Sequence, residues 1–206
     1  MLAPEGLRAQ ERPSDEESYA PVPDTWALQF AINPNLDVAS FSGSTLSIKR
    51  QFSSTQSLRV GLTLEGRFED RTEENPQRAT RPTEDEQDFQ SYRIEGLYIS
   101  HIAGGNDIHA YTGIGPFVSF ASTDQSSSAQ NEERDEDLFR LGAVGVLGVE
   151  WFLRSNLSVT AEYGFDVAYS RTTLDRSEGG TAVVDREEDR FSFGGRGATV
   201  GVSVYF

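Results

Sequence analysis

From Thr25 onward, apolar and polar side chains alternate along eight segments of the chain. Alternation with a period of two is typical of strands that have one apolar and one polar face. It is clearest over residues 57–68, where Leu58 and Leu62 share one face and Arg59 and Glu65 share the other. The eight segments cover residues 26–32, 44–52, 57–68, 89–100, 107–121, 138–153, 157–170 and 190–206. The pattern predicts an all-β chain of eight antiparallel strands.

The connections between these segments alternate in length. The short connections are residues 53–56, 101–106 and 154–156, and the long, polar ones are 33–43, 69–88, 122–137 and 171–190. In an up-and-down barrel every second connection lies at the same end, so the long loops are expected at one rim and both termini at the other. An even strand number, short turns at one end and long loops at the other are typical of transmembrane β-barrels.

Two positions interrupt the regular pattern. Pro116 falls inside the fifth segment, where its missing N–H predicts a bulge or a place beyond the regular ladder. Gly194 and Gly195 predict a bulge in the eighth segment, because Phe191 and Phe193 are out of phase with the apolar positions that follow.

The formal net charge of the 206 residues is −15, and its distribution is uneven. The acid excess lies in residues 1–24, 69–88, 122–137 and 171–190, whereas the remainder is close to neutral. An acidic chain without clustered bases argues against nucleic acid as a partner. The length fits one sizeable domain, expected over residues 25–206. There are no cysteines, which excludes disulfides and thiolate metal sites.

Residues 1–24 are rich in proline and acids and show no period, so we expect a disordered lead-in. Residues 1–9 fit the end of a cleaved secretory signal peptide, and an ordinary flexible terminus is the alternative. The chain has no run of about 18 apolar residues, as a membrane-spanning helix requires, which leaves a barrel as the only way to cross a bilayer.

Alternation alone does not decide which face points inward, since a soluble lipocalin-like ligand-binding barrel has the same strands turned inside out. Three features favour lipid outside. The apolar segments reach the roughly 9–11 residues that a tilted membrane strand needs. Paired opposite charges, such as Arg59 with Glu65 and Arg67 or Arg93 with Glu95, lie on the polar face. Aromatic residues lie near segment ends, where interfacial girdles occur: Trp26, Phe52, Phe68, Trp151, Tyr169 and Phe206.

The charged residues of the polar face are expected to fill a narrow lumen with ion pairs, and a narrow ion or proton path is the alternative. This lumen network comprises Lys49, Arg59, Glu65, Arg67, Arg93, Glu95, Arg140, Glu150, Glu162 and Asp166. A turn centred near Ser155 places Glu150 opposite Thr160 and diagonal to Glu162, so the two carboxylates either join this network or share a proton.

No enzyme, cofactor or metal site is predicted. A hydrolase on a membrane barrel needs a histidine beside a serine and an acid near the outer leaflet, whereas His101 and His109 map to the short-turn end. The same two histidines lack an obvious third ligand for a metal. The acidic runs 84–86 and 135–137 offer oxygen ligands for divalent cations that bridge to lipopolysaccharide, but calcium-loop spacing is absent.

The last strand carries an alternating pattern that ends on an aromatic residue, with Thr199, Gly201, Val204 and Phe206 at its key positions. This segment resembles the C-terminal assembly signal of bacterial outer-membrane barrels. Residues 111–116, 142–151 and 156–164 are also similar to the small outer-membrane β-barrel family that includes the transmembrane domain of outer-membrane protein A and the outer-membrane protein X and Ail adhesins.

This resemblance implies a monomeric barrel in the outer membrane of a Gram-negative bacterium. Its expected partners are membrane lipid, lipopolysaccharide and the barrel-assembly machinery, with a possible surface ligand bound by the long acidic loops. The expected role is structural or adhesin-like. A small barrel that passes hydrophobic compounds remains an alternative, and it predicts a lateral gap or a continuous cavity behind Pro116 and the Gly194-Gly195 bulge.

Overall fold

The structure, a computed structural model, describes residues 21–37, 42–73, 83–102, 107–127, 132–178 and 181–206. Eight antiparallel strands form a barrel that is closed in chain order, with β8 paired to β1. The strands are β1 (Trp26–Asp37), β2 (Ser42–Gln51), β3 (Gln56–Glu73), β4 (Thr83–Ile102), β5 (Ile108–Ser127), β6 (Glu132–Arg154), β7 (Leu157–Glu178) and β8 (Thr181–Tyr205). This confirms the predicted fold class. No helix among these residues is long and apolar enough to cross a membrane.

The short connections are as predicted and define one end of the barrel, called here the short-turn rim. Only residues 155 and 156 separate β6 from β7, and Glu150 lies opposite Thr160 as the turn position requires. Residues 1–20, most of the predicted disordered segment, lie outside the described residues. Asp24 follows them at this rim, where its backbone N–H donates to the carbonyl of Gln51 at 2.8 Å.

The opposite end, the hairpin rim, differs from the prediction. Residues expected as long loops belong largely to the strands, because β3 continues to Glu73, β5 to Ser127 and β7 to Glu178. The β6–β7 ladder pairs residues continuously from Glu132↔Glu178 down to the membrane-facing part of the barrel. Polar side chains on both faces obscure the alternation in the sequence, but backbone pairing does not require an apolar face. The acidic segments are therefore projecting β-hairpins.

The two interruptions also differ from the prediction in detail. Pro116 pairs with Ala143 in the regular β5–β6 ladder, so on this side neither the predicted bulge nor the predicted place beyond the ladder occurs. On its other side, the β4–β5 ladder skips two rungs without changing register, because proline has no N–H to donate. The β8 bulge exists but lies at Arg196, between Gly195 and Gly197, and Gly197 takes the left-handed φ of +85°.

The exterior of the barrel is apolar. Leu62 is 39% exposed whereas Arg59, three residues earlier on the opposite face, is 5% exposed. Outward-facing apolar side chains include Leu28, Phe30, Leu46, Ile48, Val60, Ile94, Ile114, Leu141, Leu147, Val149, Val200 and Val202. An exposed apolar surface on every strand, around a polar interior, belongs in a bilayer and excludes the soluble lipocalin-like alternative.

Aromatic side chains border this apolar belt. Trp26, Phe52, Trp151 and Phe206 lie outward near the short-turn rim, and Tyr169 lies outward toward the hairpin rim; the side chain of Phe68 lies outside the described ones. The aromatic border toward the hairpin rim also includes Tyr92, Phe120 and Phe139, which occupy directly paired positions on β4, β5 and β6. Along β4, the ten residue steps from Tyr92 to Ile102 span about 26 Å at about 3.4 Å per residue and about 40° tilt, which matches a bilayer's hydrocarbon core.

Part of the lumen wall is apolar as well. Leu97 and Ile99, which blur the alternation of β4, point inward and pack with Tyr111, Phe117 and Val144. These side chains fill the side of the interior formed by β4 to β7. The charged side chains therefore occupy the rest of the lumen in a water-poor environment, where ionised groups require partners.

Candidate functional site

The lumen holds charged side chains in three layers, and the lowest lies at the short-turn rim. Its centre is the Glu150 carboxylate, which is fully buried. The Lys49 ammonium donates to both carboxylate oxygens at 2.9 and 3.0 Å, and the hydroxyls of Ser158 and Tyr205 each donate at 2.6 Å. The imidazole Nε2 of His101 lies 3.1 Å from Oε2. Side chains from four other strands thus converge on one carboxylate.

The middle layer is centred on a two-pronged ion pair across the barrel. The Arg59 guanidinium on β3 donates to both oxygens of Glu162 on β7, at 2.8 and 2.9 Å. The Tyr111 hydroxyl donates to the same carboxylate at 2.9 Å, and Arg59 also donates to Gln29 at 3.1 Å. Gln29 in turn donates to Thr160 at 3.0 Å. A planar guanidinium facing a carboxylate in this way gives both strength and fixed geometry.

The upper layer joins two arginines to two carboxylates. Arg93 donates to both oxygens of Asp166 at 2.8 and 3.0 Å and to Glu95 at 3.1 Å. Arg196 donates to Glu95 at 2.7 Å, and its Nε lies 3.9 Å from Asp166. The Arg93 guanidinium lies 3.6 Å from the ring centroid of Phe117, which gives it a cation–π contact from the apolar wall.

Seven of the ten residues predicted for the lumen network are thus held in ion pairs of these layers, and two lie above them. Glu65 is exposed and lines a cavity above the upper layer, together with the half-buried Arg140. The side chain of Arg67 lies outside the described ones. Pairing runs across the barrel, since Arg59 meets Glu162 rather than Glu65 on its own strand. Glu150 and Glu162 belong to different layers, each with its own cation, and no hydrogen bond joins them among the described contacts.

Seven hydrogen-bonding residues of these layers were not among the predicted ones: Gln29, His101, Tyr111, Ser158, Thr160, Arg196 and Tyr205. Arg196 points inward only because the bulge at its own position resets the alternation of β8. His101, Tyr111 and Tyr205 act as hydrogen-bond partners of buried carboxylates. The alternation of faces along β5 and β8 places Tyr111 and Tyr205 on the inner face. Their hydroxyl groups were therefore the signal from which a role as hydrogen-bond donors in the lumen could have been predicted.

The serine, histidine and acid at the short-turn rim do not form a hydrolase site. Ser158 donates to Glu150 rather than to His101, so the serine–histidine pair of a hydrolase triad is not formed. All three side chains are buried within the lowest layer. His109 packs edge-on against Phe152 at 5.7 Å. Among the described residues, no group of three or more metal-ligating side chains comes together.

The residues of the predicted assembly signal lie in the seam that closes the barrel. Val204 and Phe206 face outward, and the backbones of Phe206 and Trp26 exchange two hydrogen bonds of 2.8 and 3.0 Å. Gly201 is buried, and a Cβ there would approach the Thr160 hydroxyl to 2.8 Å. Thr199 faces inward, 3.5 Å from the backbone carbonyl of Glu162. A role for these residues in assembly remains a prediction.

Comparisons with known proteins support the fold. No protein-family model matches the chain, and none of the curated proteins is significantly similar to it. Among solved structures, the outer membrane protein OprG from Pseudomonas aeruginosa shares 13% identity, with 93% of this chain and 99% of that chain covered and a TM-score of 0.57.

Two further solved structures are similar at lower TM-scores. Ail, the attachment invasion locus protein of Yersinia pestis, has a TM-score of 0.41 at 13% identity, covering 88% of this chain and 94% of that one. CarO of Acinetobacter baumannii has 0.39 at 11%, covering 90% and 98%. The fold conclusion depends on OprG alone among these. Together with the apolar exterior, it shows that the chain has the fold of small bacterial outer-membrane β-barrels.

Proposed function

We propose that this chain is a closed outer-membrane barrel with a structural or surface-binding role, and that its lumen does not conduct. The main observation that supports this proposal is the stack of three charge layers, in which four cations lie within 3.1 Å of four carboxylates. Each layer spans the barrel, linking β2 to β6, β3 to β7, and β4 to β7 and β8. An ion moving along the axis would have to displace buried ion pairs, each of which is strongly held.

The space left between the layers supports a closed lumen. The internal cavity beside Arg59, Glu162 and Arg196 measures about 30 Å³. That volume suits a single water molecule, which needs roughly 10–15 Å³ of accessible space. An eight-stranded barrel is just wide enough to be filled by its own side chains, so a path for solutes would need larger gaps than this.

The alternative, lateral passage of hydrophobic compounds near Pro116, finds less support. Two rungs are missing beside this proline, between β4 and β5. The backbones nevertheless stay in close contact, because a Cβ added to Gly115 would lie 1.7 Å from the Gly96 carbonyl oxygen. Glycine at 115 thus allows a close approach of the two strands, which is the opposite of a gap.

The projecting hairpins are the proposed binding surface. Outward-facing positions on β6, β7 and β8 at the hairpin rim carry Asp135, Asp137, Asp175, Glu187 and Asp189. Binding residues concentrate where a rigid scaffold presents exposed segments. A carboxylate-rich outer wall favours a basic surface partner or divalent cations that bridge to lipopolysaccharide. No enzymatic activity is proposed, since the buried serine and histidine serve the lumen network.

Conductance tests the closed lumen. Purified protein refolded into phospholipid vesicles should give no solute-driven swelling and no discrete conductance steps in planar bilayers. The matched variant is Arg59→Ala with Glu162→Ala, which removes the middle layer while keeping the outer wall intact. Steady conductance of the unaltered protein would refute the proposal, whether or not the variant conducts equally.

Binding through the hairpins is tested separately. A variant with Asp135→Asn, Asp137→Asn and Asp175→Asn should bind immobilised polylysine and calcium-bridged lipopolysaccharide more weakly than the unaltered barrel, with reduced salt sensitivity. A control with Gln90→Asn changes a neutral side chain at the same rim. Equal binding by all three proteins would refute a role for the outer acids.

A further inference from the structure

The hairpins are acidic overall, yet their two faces differ in charge. Strand alternation sends the acids named above outward, and it sends arginines of the same strands inward. Arg134, Arg140, Arg186 and Arg190 all line the inner wall of β6 and β8. The carboxylates on that wall are Glu136 and Glu188. On the described parts of β6 and β8, an acidic outer face therefore lies behind a basic inner face.

This interior contains two adjoining cavities above the upper charge layer, called here the vestibule. The cavities measure about 470 and 520 Å³ and share Arg140 and Ser192. Each lies in the range of roughly 300–1,000 Å³ that is usual for small-molecule sites. Among the residues that the structure describes, six arginines line the vestibule against four carboxylates, an excess of two positive charges. When Glu95 of the upper charge layer is counted as well, an excess of one positive charge remains.

Arg140 is the vestibule arginine with the weakest protein contacts. Within the described part of the chain, the Arg140 guanidinium makes a cation–π contact with the Phe117 ring, at 5.9 Å from the ring centroid. By contrast, Arg134 pairs with Glu136 at 3.3 Å, while Arg186 and Arg190 share Glu188 at 3.5 and 3.3 Å. Arg140 is half-buried, so it has lost part of its hydration without gaining a carboxylate.

The neighbours of Arg140 suit an oxyanion. Its paired residues on the two adjoining strands are Ser119 and Ser170. The Ser119 hydroxyl can donate to a bound group, whereas the Ser170 hydroxyl donates to the backbone carbonyl of Arg190 at 3.3 Å. Ser119 is also paired with Arg93 on β4, so two guanidiniums flank one serine in a single row around the barrel. A planar guanidinium fork beside a hydroxyl donor is an arrangement that proteins use to bind carboxylates and phosphates.

We propose that the vestibule binds a small water-soluble organic anion, with a carboxylate or phosphate placed against Arg140. The ligand enters from the outer side and stops at the upper charge layer, where Arg93 and Asp166 close the floor. The basic wall faces the barrel axis, away from lipid, so the anion comes from solution rather than from a lipid headgroup. This site is distinct from the outer acidic wall and does not depend on adhesion.

Titration with succinate tests the proposal, using refolded protein in a nonionic detergent with little chloride. Succinate should shift the NMR signals of the arginine side chains in a saturable manner, and 1,4-butanediol, its uncharged analogue of the same chain length, should not. Arg140→Gln should weaken succinate binding about tenfold or more, the usual size of a lost charge-assisted hydrogen bond. Arg140→Lys keeps the charge and should bind with intermediate strength.

Arg154→Gln provides the matched control, because Arg154 is an exposed arginine on the same strand at the short-turn rim. It should bind succinate as the unaltered protein does. Heat-modifiable gel migration of each variant shows whether the barrel itself has folded, so a failed barrel is distinguished from a failed site. Absence of saturable succinate binding to the folded protein would overturn the proposal, and so would unchanged affinity in Arg140→Gln.

Discussion

Replacement of Glu150 by glutamine should destabilise the barrel strongly. Lys49 is 3% exposed and has Glu150 as its ion-pair partner, so Glu150→Gln leaves a buried ammonium opposite a neutral amide. Glutamine also offers one oxygen, where the carboxylate offers two to Lys49, Ser158 and Tyr205. Removal of one partner from a buried ion pair costs about 3–5 kcal/mol, and we expect a loss in this range.

The measurement is equilibrium unfolding in urea, with the barrel refolded into lipid vesicles and followed by tryptophan fluorescence. Trp26 and Trp151 lie near the same rim as the altered residue and report its unfolding. The control is Glu136→Gln, which breaks a pair whose side chains are 46% and 41% exposed. Exposed pairs contribute about 0–1 kcal/mol, so this variant should unfold close to the unaltered protein.

A double variant separates the charge from the shape of the site. Glu150→Gln combined with Lys49→Met removes both charges and should recover most of the lost free energy of unfolding, because no uncompensated ion remains. If Glu150→Gln is no more destabilising than Glu136→Gln, or if the double variant is as unstable as the single one, the assignment of Glu150 as the electrostatic centre of the lowest layer is refuted.

Two further predictions concern the backbone and the outer face. Gly115→Ala should prevent assembly or strongly lower stability, since its Cβ would lie 1.7 Å from the Gly96 oxygen, whereas Gly194→Ala meets nothing within 4 Å and should be tolerated; normal heat-modifiable migration of both variants would contradict this. Val60→Arg, at a position that pairs with Gly96 near the middle of the lipid-facing belt, should cost about 2–4 kcal/mol in vesicle unfolding, and Ile102→Arg near the short-turn rim about 0–1 kcal/mol. Equal losses at the two positions would contradict the proposed depth of the belt.

The fold was accessible from the sequence because barrel strands obey a local rule. Alternation gives each residue a face, and the tight turn at Ser155 fixes register, which correctly placed Glu150 opposite Thr160. The hairpin extensions were hidden for the same reason, since residues above the bilayer are polar on both faces. Pattern reasoning sees a strand only where its two faces meet different surroundings.

The pairing inside the lumen was much less accessible. Which charges meet across the barrel depends on strand tilt and stagger, and neither is encoded in the alternation of one strand. Arg59 thus meets Glu162, 103 residues away, rather than Glu65 on its own strand. Arg196 shows a second limit, because a one-residue bulge turns its side chain from the lipid face to the lumen.

The charge balance of the lumen changes along the barrel axis, and this change favours a cavity that is open at one end over a channel that is open at both. In the three layers each cation has a carboxylate within 3.1 Å, so that part of the interior is electrostatically complete. Above them the described residues of the wall carry excess arginine, and the Arg140 guanidinium lies against the Phe117 ring. A bound anion would complete the upper region just as Glu150 completes the lowest layer. Because the floor is closed, such a ligand would enter and leave by the hairpin rim, which fits capture at the surface better than transport.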